Sequence, residues 1–295
     1  MHDHRLIREQ ADLLRDGMRR RGKLDALDPV IRRGEELERE RRTLIQAVEE
    51  RKAARNGMTQ EVSRRKKAGE AADDLIAQGR SLGEEIARIE KERGDAESAL
   101  EQVLHELPNL TLPEVPEGGE DANAVVRSWG TPRAADGVRP HWEVGEQLGL
   151  LDLPRGAKVS GSGFPVFRGR GARLVRSLMQ FMLDVHTREH GYQEVWVPFA
   201  VTRQTMTGTA QLPKFEDDMY AIRDEDLFLI PTAEVPITNL YRDEILDAAA
   251  LPMAMTGYTP CFRKEAGAAG KDTRGLLRLH QFDKVEMVRY TTADS

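Results

Sequence analysis

The chain has 295 residues, with 44 basic and 50 acidic side chains for a net charge of −6, and one cysteine, Cys261. At roughly 100–200 residues per domain this length predicts two domains, and the charge excess is too small to mark a nucleic-acid tail by itself. A single cysteine excludes an internal disulfide framework and a cysteine-based structural zinc site. No run of about 18 apolar residues is present to span a bilayer. The polar start Met1-His2-Asp3-His4-Arg5 lacks the apolar core of a signal peptide, so a soluble, cytoplasmic protein is expected.

Residues 1–28 carry a short helical pattern, Leu6, Ile7, Leu13, Leu14 and Met18, expected to pack back on another part of the chain. From Pro29 to Leu107 opposite charges are nearly balanced and Trp, Tyr and Phe are absent, so this stretch has no globular core of its own. Its pattern is helical. The series Leu75, Gly79, Leu82, Ile86, Ile89, Arg93, Ala96, Leu100, Val103, Leu107 steps by threes and fours, as a coiled-coil seam does. A weaker seam through Val30, Leu37, Leu44, Val48, Met58 and Val62 is interrupted by Arg41, Arg51 and Arg55. Between the two, Arg64-Arg65-Lys66-Lys67-Ala68-Gly69 loses the seam, and its glycine permits a reversal. Two antiparallel helices of about 35 residues, each roughly 50 Å long, are predicted. Such a hairpin is either a solvated dimerisation coiled coil or spacer, or an arm that meets a polyanion through Arg64, Arg65, Lys66 and Lys67.

At Pro108 the helix must end, because residues 108–120 hold three prolines and two glycines; residues 108–123 are read as a linker. All the Trp, Tyr and Phe residues lie beyond residue 128, so a globular core is expected in residues 124–295. There Leu174, Leu178, Phe181, Met182 and Val185 mark a helix over Gly171 to His190, capped by Gly191. Tyr192 to Val197 alternates as a strand stopped by Pro198, and Leu227 to Ile230 is a second apolar burst. Met253 to Lys264 and Leu276 to Tyr290 read as strands around a loop of small residues. A hairpin of that kind predicts an antiparallel sheet with helices on one side.

Three local patterns fail on inspection. Gly267-Ala-Ala-Gly270-Lys271 lacks the glycine and Ser/Thr of a phosphate loop, having Glu265 and Asp272 there, and Gly161-Ser-Gly163 lacks a third glycine. His186-Thr-Arg-Glu189-His190 matches a metallopeptidase pattern but comes with no third ligand. The parity of the last strand is more informative. It turns Arg278, His280, Phe282, Lys284 and Glu286 to one face, and Arg263 and Glu265 share a face on the strand before. Paired suitably, these make either an ordinary half-exposed strand or a floor of two arginines, two carboxylates and a ring. Such a floor suits a nucleotide and an ammonium group.

Val195-Trp-Val-Pro198 after an amphipathic helix resembles motif 1 of class II aminoacyl-tRNA synthetases. Cys261-Phe-Arg-Lys-Glu265 together with Gly275-Leu-Leu-Arg278-Leu-His-Gln-Phe282-Asp-Lys-Val-Glu286 resembles motif 2. Within that class, residues 262–275 and Thr232-Ala233-Glu234 are similar to the seryl-tRNA synthetase family. So are Ile7-Arg8-Glu9, Arg21-Gly22, the helical arm, Pro108-Asn109 and Trp129-Gly130. The likeness runs over essentially the whole chain. It implies an α+β fold: an antiparallel coiled-coil hairpin (29–107) within an arm of residues 1–107, then a mixed, mainly antiparallel synthetase sheet flanked by helices.

The resemblance also implies an activity, the ATP-dependent activation of L-serine and its transfer to the 3′ end of tRNA(Ser), and of tRNA(Sec), with Mg²⁺ accompanying ATP. By the same resemblance Arg263, Glu265 and Arg278 form the catalytic set, Arg263 clamping the α-phosphate and the substrate carboxylate and Arg278 lying near the phosphates. Phe282 stacks adenine, Glu265 and the Leu279 main chain hold its edge, and Lys264 belongs to the ATP site. Thr232, Ala233, Glu234 and Glu286 take serine; Arg64, Arg65, Lys66, Lys67, Lys271 and Arg274 meet tRNA; dimerisation runs through motif 1. The family's third motif, with its acidic Mg²⁺ ligand, has no match after Glu286. The resemblance thus implies a C-terminally truncated chain with no metal ligand of its own, inactive alone. Two other readings are a non-catalytic RNA-binding paralogue and a ligase loading amino acids onto a carrier protein. The arm argues against the second.

Overall fold

A computed structural model describes residues 2–134, 136–265 and 274–294. The chain divides into two compact units, Met1–Gly130 and Thr131–Ser295, so residues 124–130, expected with the second domain, cluster with the first.

The first unit is three helices: α1 (His4–Arg20), α2 (Leu24–Ala68) and α3 (Asp73–Glu106). Helix α2 is longer than the expected start at Pro29 allows, because proline early in a helix removes one donor without breaking the turns that follow. It ends at Gly69, whose φ of +73° is the left-handed cap of the reversal; Gly69 N donates to Lys66 O and Glu70 N to Arg65 O. The strong seam packs as expected, with Ile86, Ile89, Ala96, Leu100 and Val103 buried. In the weak half the arginines close the seam instead of interrupting it. Arg41 reaches Glu97 and Glu38, each at 3.2 Å, Arg51 reaches Glu85 at 3.0 Å, and Lys52 reaches Glu90 at 2.6 Å. The half-exposed pairs among these, Arg51–Glu85 and Lys52–Glu90, contribute at most about 1 kcal/mol each. Stability therefore concentrates at the other end, where Ile7, Leu14 and Met18 of α1 bury against Ile31, Leu37 and Leu100. The arm does have a core, made with α1.

The expected linker is without regular structure apart from a three-residue turn at Glu120–Ala122, yet it is tied down. Arg20 donates to the carbonyls of Leu112, Pro113 and Val115 at 3.3, 2.9 and 2.7 Å, and Arg21 to that of Asn109 at 2.9 Å.

The second unit holds α4 (His141–Gln147), α5 (Leu153–Ser160), α6 (Arg170–Arg188), α7 (Arg203–Gly208) and α8 (Glu234–Thr238), with strands β1 (Gln193–Glu194), β2 (Ala200–Thr202), β3 (Leu227–Leu229), β4 (Met253–Phe262) and β5 (Gln281–Tyr290). β4 and β5 pair antiparallel over ten residues each, and β1 joins β4 in parallel. The sheet is thus mixed, because β1 reaches β4 through the long β2–β3–α8 excursion and not through a hairpin. Only two residues of the expected 192–197 strand enter the ladder. The last strand starts at Gln281 and not at Leu276. Leu276 N instead donates to His141 Nε2 at 2.7 Å and His280 N to Gly163 O at 2.9 Å, which turns the main chain before Gln281 away from β4, although His280 O still accepts from Arg263 N. Helices contact both sheet faces, not one: Tyr290 Oη donates to Ile237 O of α8, while Val175 of α6 lines a cavity with Gln281 and Asp283, of opposite parity.

Leu14→Ala, at a position with no exposed surface, is expected to lower the stability of the first unit by about 2–4 kcal/mol, read from its denaturant midpoint by circular dichroism. An unchanged midpoint would contradict a shared α1–α2–α3 core.

Candidate active site

The β4–β5 register sets Gly257 opposite Glu286, Thr259 opposite Lys284 and Cys261 opposite Phe282. Directly opposed residues share a face, so these six side-chain positions form one surface. Gly257 is required there, since a Cβ would come within 2.8 Å of the Val195 carbonyl oxygen.

Arg263 extends this face. Its guanidinium lies 5.2 Å from the centre of the Phe282 ring, and its Nε donates to Pro231 O at 3.4 Å. His280 holds the Arg263 main chain on both sides: Arg263 N donates to His280 O at 2.9 Å, and His280 Nδ1 lies 3.0 Å from Arg263 O. The imidazole stacks on Phe164 and lies against Gly163, where a Cβ would approach to 2.4 Å. His280 is engaged with Phe164 and the Arg263 main chain, and the expectation of a five-residue floor on one strand is corrected. Phe282, Lys284 and Glu286 are on β5, while Arg278 sits in the turn before it. Arg278 still reaches the site, its Nη1 donating to Glu265 at 2.6 Å. Glu265 itself has a φ of +53°, which swings its carboxylate toward Arg278.

Arg263 and Glu265 stand between two cavities. One, of about 360 Å³, is completed by Leu276, Leu277, Arg278, Leu279 and Phe282. The other, of about 290 Å³, is completed by Gln211, Phe215, Asp218 and Met219. Lys264 is exposed, with its main-chain N donating to Asp218 O at 2.9 Å.

Next to this lies a closed polar triangle. Thr232 Oγ1 donates to Glu286 Oε2 at 2.7 Å and accepts from Lys284 Nζ at 2.6 Å, and Lys284 also pairs with Glu286. Glu234 N donates to Thr232 Oγ1 at 3.3 Å, but the Glu234 side chain is exposed. Ala233 is fully buried with Val197, Ile237 and Met255, so its methyl packs in the core. Lys284 is a site residue that parity placed beside Phe282 and Glu286 but to which the sequence assigned no role. His141 and Trp142 were missed without a signal: Arg274 sits 5.1 Å from the Trp142 ring, and His141 holds Leu276 N.

On the arm, Arg64 pairs with Glu61 at 2.7 Å and holds that carboxyl down at about 2, and Arg65 pairs with Glu61 and Asp74. Lys66 and Lys67 are exposed. Lys271 lies outside the described residues. His186 Nδ1 and His190 Nδ1 are 2.9 Å apart on the surface, and among the described residues no three His, Cys, Asp or Glu side chains gather as a metal site. No helix among the described residues is long and apolar enough to cross a membrane.

Comparison with known proteins gives these features a context. Residues 214–295 match the tRNA synthetase class II core domain (G, H, P, S and T), and residues 1–111 match the seryl-tRNA synthetase N-terminal domain. The fold and the paired strands are those of a class II aminoacyl-tRNA synthetase. The serine–tRNA ligase of Gemmatimonas aurantiaca is 62% identical over all of this chain, which covers 70% of that protein; that of Methylacidiphilum infernorum is 48% identical, with 94% of this chain covering 65% of it. Seryl-tRNA synthetase from Pyrococcus horikoshii, solved with ATP, superposes with a TM-score of 0.83 at 36% identity, covering 97% of this chain and 69% of that one. The Naegleria fowleri cytoplasmic serine–tRNA ligase, solved with AMP, gives 0.78 at 27% identity, covering 97% and 70%. The chain belongs to the seryl-tRNA synthetase family. It spans about two thirds of the length of these relatives.

Cys261 is fully buried on the same face, and burial pushes its thiol above the ordinary cysteine range. A raised value leaves less thiolate at a given pH. Labelling by a disulfide reagent at pH 8 is therefore expected to run at least about tenfold slower than in the denatured chain; equal rates would contradict the packing.

Proposed function

We propose that this protein activates L-serine with ATP to seryl-adenylate and then transfers the seryl group to the 3′ end of tRNA(Ser). The observation that carries the reading is the single sheet face that bears Arg263 and Phe282 at one end and Glu286, bonded to Thr232, at the other. Serine's carboxylate oxygen attacks the α-phosphorus. A C–O–P linkage forms, the bond to the bridging oxygen of pyrophosphate breaks, and that oxygen leaves with the electron pair. No enzyme nucleophile is needed, so the residues act by positioning and by charge stabilisation. Arg263 neutralises the α-phosphate oxygens, and Phe282 offers the ring face for adenine once the guanidinium moves from it to the phosphates. Glu286 and Thr232 receive the ammonium and hydroxyl of serine. Alanine keeps the ammonium but lacks the hydroxyl, so it forfeits that group's bond in the pocket, and polar selection of this type reaches about 10⁴-fold.

Around this centre the finer assignments follow the family. Glu265, held by Arg278, and the Leu279 main chain border the adenine cavity; Lys264 and Arg278 serve the phosphates. Glu234 and the Ala233 main chain close the serine side. Mg²⁺ comes with ATP in the family; the described residues do not fit it, because Glu265 and Glu286 already hold cationic partners, and no step is routed through it. The arm grips tRNA(Ser), and tRNA(Sec), by shape and phosphate, with Lys66 and Lys67 more available than Arg64 and Arg65, and with Lys271 and Arg274 at the acceptor end. Leu174, Leu178 and Phe181 of α6 are 54%, 49% and 64% exposed, an apolar stripe that suits a second copy of the chain and a homodimer through the motif 1 region.

ATP–pyrophosphate exchange with serine tests the reading, in the chain as it stands and extended to the length of its relatives. Activity is expected in the extended chain. Arg263→Ala is expected to lower it by about 10²–10³-fold. Exchange at the wild-type rate in that variant would overturn the assignment.

A further inference from the structure

Lys284 occupies the place that serine needs. A threonine hydroxyl has one proton to donate and two lone pairs to accept with. In Thr232 all three are in use: the proton goes to Glu286, and the lone pairs take Lys284 Nζ at 2.6 Å and Glu234 N at 3.3 Å. The Lys284 ammonium also pairs with Glu286 Oε2, the same oxygen that accepts from Thr232. The Thr232 hydroxyl is therefore fully engaged, and one oxygen of Glu286 is taken by both Thr232 and Lys284, so that one lysine supplies the cation. A second ammonium brought to this carboxylate would meet a like charge a few ångströms away, across a carboxylate already neutralised. The side chains are partly open, 32% exposed for Lys284 and 21% for Glu286, so an exchange has room to occur.

We propose that Lys284 is a resident counter-ion that holds the serine subsite closed, and that serine binds by exchanging its ammonium for that of Lys284. The proposal rests on the serine-pocket reading above. The exchange keeps Glu286 paired in both states, so the site never holds a lone desolvated carboxylate, which is the costly alternative. It makes Lys284 a positioning and specificity residue: only a ligand that carries its own cation can replace the lysine without loss. A hydroxy acid of the same shape but without an ammonium leaves the subsite closed.

Isothermal calorimetry on the full chain separates this from a plain scaffold role, with L-serine, serinamide and glycerate as ligands and Lys284→Met and Lys284→Arg as variants. Removing the competing charge is expected to tighten serine and serinamide about three- to fivefold, the span of a partly exposed ion pair, and not to tighten glycerate. The arginine variant keeps a competing cation and is expected to gain nothing. Serine and serinamide binding that is weaker or unchanged in Lys284→Met would overturn the exchange while leaving the serine pocket standing. No serine binding in the wild type would instead remove the pocket reading, and the exchange with it. Should the methionine variant fail to fold, lysine-selective ¹⁵N spectra of the wild type decide: the Lys284 ammonium signal is expected to shift on serinamide addition, and an unmoved signal in the presence of bound serinamide contradicts displacement.

Discussion

Pairing of β4 with β5 over ten residues each is the constraint on which the second unit depends. Because side chains alternate, a slip of one position would send Phe282, Lys284 and Glu286 to the face that now carries Gln281 and Asp283. The register is held from outside the ladder as well as within it. Thr256 Oγ1 donates to Glu286 O at 2.8 Å, fixing β5 beside the residue that matters most, and Gly257 lets the Val195 carbonyl approach where any side chain would collide. At the other end His280 ties the Arg263 main chain to Gly163 and Phe164. Gly163, one of the two glycines that imitate a nucleotide-binding loop in the sequence, is thereby explained as a packing requirement, since a Cβ there would meet the His280 ring at 2.4 Å.

The charged side chains of the site pair with one another. Arg263 rests on Phe282, Arg278 on Glu265, and Lys284 on Glu286 and Thr232. A pocket built to receive an anion at one end and an ammonium at the other would otherwise carry uncompensated charges in a partly dry setting. Internal pairing stabilises the empty state, and binding exchanges one partner for another of the same sign. The difference in affinity between correct and incorrect ligands then depends on whether the newcomer replaces every bond the resident group made.

Much of this was legible in the sequence, for identifiable reasons. Strand parity placed Phe282, Lys284 and Glu286 together, because alternation is a local property of an extended chain. The α3 seam was legible in the same way from its spacing. Parity failed at Arg278 and His280, because the start of β5 is decided by hydrogen bonds that Leu276 N and His280 N donate to His141 and Gly163, both more than a hundred residues away in the chain. Arg41 and Arg51 read as interruptions of a seam, since their partners Glu97 and Glu85 become visible only once α3 folds back. The α6 stripe was legible as amphipathic, but amphipathicity does not say what covers it, and Leu174, Leu178 and Phe181 face outward in the single chain. The prolines and glycines of 108–123 account for its want of α-helix and strand, while its attachment through Arg20 depends on three distant carbonyls that no composition reveals.

The central claim is that one sheet face holds both halves of a seryl nucleotide. A crystal structure with a non-hydrolysable seryl-adenylate analogue tests it most directly. The account predicts the ammonium within hydrogen-bond distance of Glu286, the acyl-phosphate mimic against Arg263, and the purine on the Phe282 ring. An analogue bound in a different cavity, with Lys284 still seated on Thr232 and Glu286, would contradict it.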